Sequence, residues 1–273
     1  MKSSYVLKIC IAVIGIIVLT AFHSTKNEND MSKYKSAEMV FIQGGSFFMG
    51  QVDGEADEKP SHKVNLSDFY IGKFEVSVAD YRLFCETTNR IMPKEPKWGW
   101  YDDHPIVNTT WYDAIDFITW LNAETGENFR LPSEAEFEYV IRNGGKEGVY
   151  PWAQGKPINE NIADESYGTQ YSGKRIWNGY TDGFVHTSPI GAYPPNEVGV
   201  CDINGNVWEW VSDWFQDYSD AIKQDPEGPE SGKHKVGRGG SFNADPWHCR
   251  SASRSYVLPS FTGPGFRLAR DID

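Results

Sequence analysis

The sequence predicts one compact domain that mixes short strands with a few helices and leaves much of the chain irregular. A length of 273 residues with 40% hydrophobic content suits a single buried core. Ten Trp, 14 Tyr and 15 Phe are many for that length. Each ring removes a large area from water, so aromatic packing can hold a fold that is poor in hydrogen-bonded ladders. Twenty-six Gly and 15 Pro favour turns over long regular elements. The net charge of −12, with no Lys/Arg-rich run, argues against nucleic acid as a partner, because neutralising phosphates needs clustered cations. An acidic excess suits a protein that holds divalent cations, although its commoner meaning is solubility.

The N-terminus reads as a targeting segment. Lys2 and Lys8 precede an apolar run, Ile9–Phe22, that is shorter than the ~20 residues of a spanning helix. Residues 1–24 are expected to be a signal peptide cleaved after Ala21 or, since Leu19 fits the −3 position poorly, an uncleaved anchor. Cys10 is not a lipidation site, because cleavage there would leave the apolar run attached. The protein is therefore expected to be exported, either periplasmic or membrane-anchored facing the periplasm or cell exterior. Any membrane contact would run through that anchor alone. Cys85, Cys201 and Cys249 remain after processing, an odd count that allows one disulfide at most.

Residues 25–37 are polar and charged and read as a linker; 38–273 read as the domain. Phe41 to Gly50 predicts a strand broken at Gly44-Gly45, and Lys63 to Phe74 alternates as a half-buried strand does. Ser77 predicts the cap of a helix, with Asp80 at its third position and Val78, Tyr81, Phe84 and Cys85 on one face. Thr110 caps a second helix through Leu121, with Gly126 beyond its end. Ser133 and Glu136 form a capping box for a third, which turns Phe137, Val140 and Ile141 inward and stops at Gly144. Beyond Gly145 periodicity fades. The aromatic residues there, Trp152 to Phe215, make disorder a poor explanation, so another agent must fix the backbone, and metal ions are the natural candidate.

A set of motifs then occurs in order: Gly44-Gly-Ser-Phe-Phe-Met-Gly50, Asp57-Glu-Lys-Pro60, Phe74-Glu-Val76, His104-Pro-Ile-Val107, Trp111-Tyr-Asp-Ala114, Arg130-Leu-Pro-Ser133, Asn204-Gly-Asn-Val-Trp-Glu-Trp210, Arg238-Gly-Gly-Ser-Phe242 and Gly265-Phe-Arg-Leu268. Together they resemble the sulfatase-modifying-factor family, which includes formylglycine-generating enzymes and domains of ergothioneine and pyoverdine pathways. The resemblance covers Glu38 to Arg270. It implies an α+β fold of the variant C-type-lectin type, with helices around a small antiparallel sheet.

It also implies two calcium sites. Asn161 with the Ile162 carbonyl, and Asp182 with the Phe184 carbonyl, resemble one. Asp202, the Gly205 and Val207 carbonyls and Glu209 resemble the other. Six to eight carboxylate and carbonyl oxygens are what calcium takes, and Gly-rich turns let carbonyls converge. The competing reading is that Asp182 and Asp202 only cap turns.

The catalytic pattern of the formylglycine generators is missing. They resemble this chain but carry two cysteines soon after Gly-Gly-Ser, which bind copper as thiolates, and soft Cu(I) selects sulfur. Here Asn243 and Ala244 stand where the first would be, and Cys249 alone follows, expected as a packed residue. His62, His104, His186, His234 and His248 form no H-x-x-x-H or H-E-x-x-H pair. Two function classes follow. One is a non-catalytic binding or structural module of the cell envelope that takes a protein or glycan ligand. The other is an enzyme of the family with chemistry other than copper-thiolate oxidation. The resemblance places a groove near the Gly-Gly-Ser segment, with Arg238, Ser241, Asn243, Trp247, Arg254 and Arg267 as its expected residues.

Overall fold

The computed structural model describes residues 31–152 and 155–272. The expected signal segment and residues 25–30 of the expected linker lie outside them. Among the described residues no helix is long and apolar enough to cross a membrane. Inside the expected linker, residues 31–37 form two 3-10 turns, and Tyr34, Ser36 and Ala37 are buried. Asp80 Oδ2 accepts the Ser36 amide at 2.8 Å and the Ser36 hydroxyl as well. Tyr34 packs edge-on against Trp120. A stretch that is polar by composition is thus core by position.

The break at Gly44-Gly45 falls between β1 (Met39–Ile42) and β2 (Gly45–Met49). The strand expected from Lys63 to Phe74 is two, β3 (His62–Leu66) and β4 (Phe69–Gly72). These two breaks face each other. Met39 lies opposite Gly72 and Met49 opposite His62 in one continuing antiparallel register, so the pair is a single ladder bent in the middle. Carboxylates pin the bend: Asp68 Oδ1 accepts the Gly44 amide at 2.8 Å, and Asp225 accepts the Ser67 amide at 2.6 Å. A Cβ on Gly44 would lie 2.3 Å from the Leu66 carbonyl oxygen, closer than any side chain tolerates.

Past the bend the two halves enter different sheets. One sheet is ordered β1-β4-β10 (Ala269–Asp271), and the second β2-β3-β6 (Lys223–Gln224). A third is ordered β8 (Ser255–Val257), β7 (Lys235–Arg238), β5 (Glu209–Trp214), β9 (Gly265–Phe266).

All three expected helices form. α1 (Val78–Thr88) starts at Ser77, whose hydroxyl accepts the Asp80 amide. α2 (Trp111–Thr125) starts at a Thr110–Asp113 capping box and runs past Leu121 to a left-handed Gly126. α3 (Glu134–Ile141) starts at the Ser133–Glu136 box. Each cap satisfies an amide that the first turn leaves bare, worth about 1 kcal/mol. A fourth, α4 (Glu165–Gln170), is capped by Asp164 and carries too little periodicity to be read from sequence.

Two apolar clusters form the core. α1 and α2 stack Tyr81 on Phe117 at 5.7 Å, with Phe84, Trp210 and Phe266 around them. α3 packs Phe137, Val140 and Ile141 against β2, β3, β5 and β7. It is buried on every side, so Glu134 and Glu138 are buried too, and buried charge must be paired. Glu138 pairs with Arg142 at 2.8 Å and with Arg238; Glu134 is held by both ends of Arg254 at 2.6 and 2.8 Å. Cys85, Cys201 and Cys249 are buried and free, so no disulfide contributes among the described residues.

In the irregular half, side chains do part of the work the sequence reading assigned to metal. Asp164 caps α4 through Oδ1 and accepts the Asp182 amide through Oδ2 at 2.5 Å. Asn196 Oδ1 accepts the Val198 and Val200 amides. Asn206 Oδ1 accepts the Ser188 amide at 2.9 Å. Such bonds substitute for a ladder wherever backbone groups are buried.

Candidate functional site

Two neighbouring features stand out, a buried acidic centre and an aromatic cleft. The loop that leads into β5 builds the first. Asp202 and Asn206 take left-handed φ of 52°, and Gly205 has φ 88°. A Cβ on Gly205 would lie 2.4 Å from the Asn161 carbonyl oxygen, so this loop touches the segment that carries Asn161. Asn161 Nδ2 donates to the His186 carbonyl at 2.8 Å, while its Oδ1 is buried without a partner.

Asp182 is engaged as a turn clamp. Its carboxylate accepts the Ile162 amide at 3.0 Å and the Phe184 amide at 2.7 Å. Burial, and the nearby Asp164, push its carboxyl up to about 7. Asp182 thus engages Ile162 and Phe184 through their backbone amides, not through the carbonyls that the calcium reading names.

The second cluster holds Asp202, Glu209 and a residue the sequence reading passed over, Glu75. Glu209 is fully buried, and Arg267 meets it with two bonds of 2.7 Å. Asp202 Oδ2 accepts the Gly191 amide at 2.6 Å, and burial pushes its carboxyl up to about 6. Glu75 is 0% exposed; Oε2 accepts from Asn206 Nδ2 at 3.4 Å, and Oε1 has no partner among the described residues. Burial first, then the fields of Asp202 and Glu209, drive its carboxyl well above the carboxylate range. Three buried carboxyl groups thus face Arg267, with Lys35 a further cation toward Asp202, and this crowding of acids around an orphaned oxygen fits a divalent cation. Among the described residues no three His, Cys, Asp or Glu side chains sit close enough together to hold a metal ion as they stand. The fit therefore lies in charge and unpaired oxygens, not in a finished shell. Glu75 was legible in one respect: a lone acid between Phe74 and Val76, both apolar, has to be buried with something.

The cleft, of about 380 Å³, lies beside the Gly-Gly-Ser turn. Ser241 and Asn243 line it, joined by a 2.8 Å bond from the Ser241 hydroxyl to Asn243 Oδ1. Aromatic walls come from Trp98, Trp208, Phe242 and Phe261, none of them singled out by sequence for this role. Trp98 stacks on His186 at 4.6 Å, and the Tyr171 hydroxyl meets His186 Nε2 at 2.9 Å. Burial lowers the pKa of that imidazole.

The other expected groove residues are elsewhere. Arg238, Arg254 and Arg267 are buried against Glu138, Glu134 and Glu209. Arginine is the residue that buried carboxylates select, and sequence does not show which acid faces which arginine. Trp247 also lies outside the cleft, bonded to Glu55 at 2.6 Å and covered by Arg250 at 3.9 Å. Ala244 and Cys249 sit with Trp152 and Ile162 in an apolar cluster. Burial pushes the Cys249 thiol up, away from thiolate, so neither the residues nor their environment fit a copper-thiolate pair.

This architecture defines a mixed α+β domain in which irregular chain surrounds a small four-stranded sheet. The sulfatase-modifying factor enzyme 1-like domain model matches residues 24–272, and the chain belongs to that family. It is 31% identical to the formylglycine-generating enzyme of Mus musculus over 289 residues, covering 86% of this chain and 75% of that one. It is 28% identical to the inactive Cα-formylglycine-generating enzyme 2 of the same animal, covering 65% and 69%. The solved structure of PvdO from Pseudomonas aeruginosa superposes with a TM-score of 0.72 and 28% identity, covering 86% of this chain and 94% of that one.

Proposed function

We propose that this is an exported, calcium-stabilised member of the family that acts as a binding or structural module of the cell envelope and not as a formylglycine generator. The observation that carries the reading is the cleft itself: hydroxyl, carboxamide and aromatic rings line it, and no thiol does. Cys249, the one cysteine after the Gly-Gly-Ser turn, is 0% exposed. Such walls recognise by stacking and hydrogen bonding, which suits a protein or glycan ligand. Calcium at the acidic centre would have to draw Glu75, Asp202 and Glu209 together with the Gly205 and Val207 carbonyls, and a second ion would sit near Asn161 and Asp182 with the Ile162 and Phe184 carbonyls. It would stiffen the loops that carry the cleft. Export rests on the N-terminal segment.

The second reading, an enzyme of the family with other chemistry, draws on the 31% identity to the formylglycine-generating enzyme of Mus musculus. One experiment separates them. Wild type and Asn243→Ala are screened on glycan and peptide arrays, and each captured ligand is re-examined by mass spectrometry. The module reading expects retention that Asn243→Ala abolishes without a change in melting temperature, and an unaltered ligand. A ligand released in chemically changed form would overturn it in favour of the enzyme.

A further inference from the structure

A second cleft, of about 880 Å³, shares no lining residue with the one beside Ser241 and contains an unusual amine. Lys235, on β7, is 3% exposed and is the only lysine buried among the described residues. Its Nζ lies 3.9 Å from the ring centre of Trp111 and 4.0 Å from that of Trp214, and the two rings are 6.4 Å apart. One bond, to the Ser212 carbonyl at 2.6 Å, is its hydrogen bond to the protein.

A surface lysine sits in water as a hydrated ammonium. This one has exchanged water for two π-faces and one carbonyl, which compensate an ammonium less fully than water does. Burial accordingly lowers it to about 8, with Asp213 pulling the other way. The charged groups facing it are Asp213 from β5 and, across the cleft, Asp68, Glu136, Asp225, Glu227 and Glu230, besides Arg130 and Asp271, which pair with each other. Among the described residues none forms a salt bridge with it. A substantial fraction of neutral amine near pH 8, set in an aromatic-walled cleft, is the requirement for nucleophilic lysine chemistry.

We propose that Lys235 is a reactive amine that captures small carbonyl compounds, aldehydes above all, as imines in this cleft. The neutral nitrogen adds to the carbonyl carbon and a C–N bond forms. The carbonyl oxygen then leaves as water with both amine hydrogens, so the step needs no oxidant or reductant. Trp111 and Trp214 would flank the adduct.

The folded protein is treated with benzaldehyde and sodium cyanoborohydride, which reduces any imine to a stable secondary amine, from pH 6 to 10. Peptide mapping then gives the initial rate at each lysine, with exposed Lys63 as the internal reference. The expected result is modification of Lys235 at least tenfold faster than Lys63 at pH 8, rising to half its limit near pH 8. Lys235→Arg keeps the cation between the rings and should show no adduct at this position, with Lys63 unaffected. No adduct on Lys235, or one formed no faster than on Lys63, would overturn the proposal and leave the lysine as a structural cation.

Discussion

Arg267 grips Glu209 with Nε on Oε2 and Nη2 on Oε1, both at 2.7 Å, and neither side chain is more than 1% exposed. Glu75, a neighbour in the same acidic centre, has no such partner. That asymmetry gives calcium a test of sign. In metal-free protein Glu75→Gln removes an uncompensated buried acid and should leave the melting temperature unchanged or higher. In calcium-loaded protein it removes a ligand and should lower it by several degrees. The scale is about 2.7 kcal/mol for a site with free ion a hundredfold above Kd, at ~2–4 °C per kcal/mol. Calorimetry of both proteins in calcium and in chelator gives the four values. If calcium shifts neither protein, the acidic turns are only turns. Glu209→Ala is a poorer probe, because it strands Arg267 whether or not metal binds.

Arg254 was expected in a ligand groove and is found clamping Glu134 at 2.6 and 2.8 Å. Arg254→Ala should therefore cost about 3–5 kcal/mol of stability, the penalty for breaking a buried ion pair, with Arg238 at 3.6 Å left as the remaining partner of Glu134. Asn243→Ala, at an exposed cleft position, should stay within about 0.5 kcal/mol of wild type. Denaturant titration of both distinguishes a structural arginine from a binding one.

Asp213 is buried beside Glu134, and burial, then Glu134, push its carboxyl up to about 7 from 3.8. A raised acid pKa means that the native state holds the proton longer than the unfolded chain does. Stability from this group is present below pH 4 and lost as pH rises through 7, by at most about 4 kcal/mol. Asp213→Asn keeps an oxygen for the Glu134 amide, which Asp213 Oδ2 accepts at 2.8 Å, and removes the charge. The variant should match wild type near pH 4 and exceed it at pH 8. Equal pH profiles for the two would contradict the assignment.

Co-expression with a cysteine-bearing sulfatase peptide should give no formylglycine by mass spectrometry. Ala244→Cys should not create the activity, because that position lies in the same apolar cluster as Trp152, Ile162 and Cys249, where a thiolate is disfavoured. Conversion by either protein would refute this.

The helices were readable because their determinants are local. Ser77, Thr110 and Ser133 each meet an amide three residues on, and a motif of that span is visible in one sequence. The bend at Ser67-Asp68 was not, because it depends on Asp225, 158 residues away. The arginines expected in the groove point elsewhere for the same reason. Arg238 pairs with Glu138 across 100 residues, and an arginine in a Gly-Gly-Ser motif looks alike whether it faces a ligand or an acid. Glu75 escaped because it lies 127 residues before Asp202 in the chain.

The placement of β9 and β10 bears on when the protein can fold during synthesis. β5 pairs in parallel with β9 through Glu209–Gly265 and Trp210–Phe266, and β10 completes the sheet around β4 through Ala269–Ile71. Arg267 lies between these two strands. A nascent chain that has not yet delivered residues 265–271 therefore lacks an edge of two sheets and the cation that, among the described residues, pairs with Glu209. Native structure must wait for residues 265–271 to emerge, and a ribosome stalled before them would hold a chain whose acidic centre lacks its arginine.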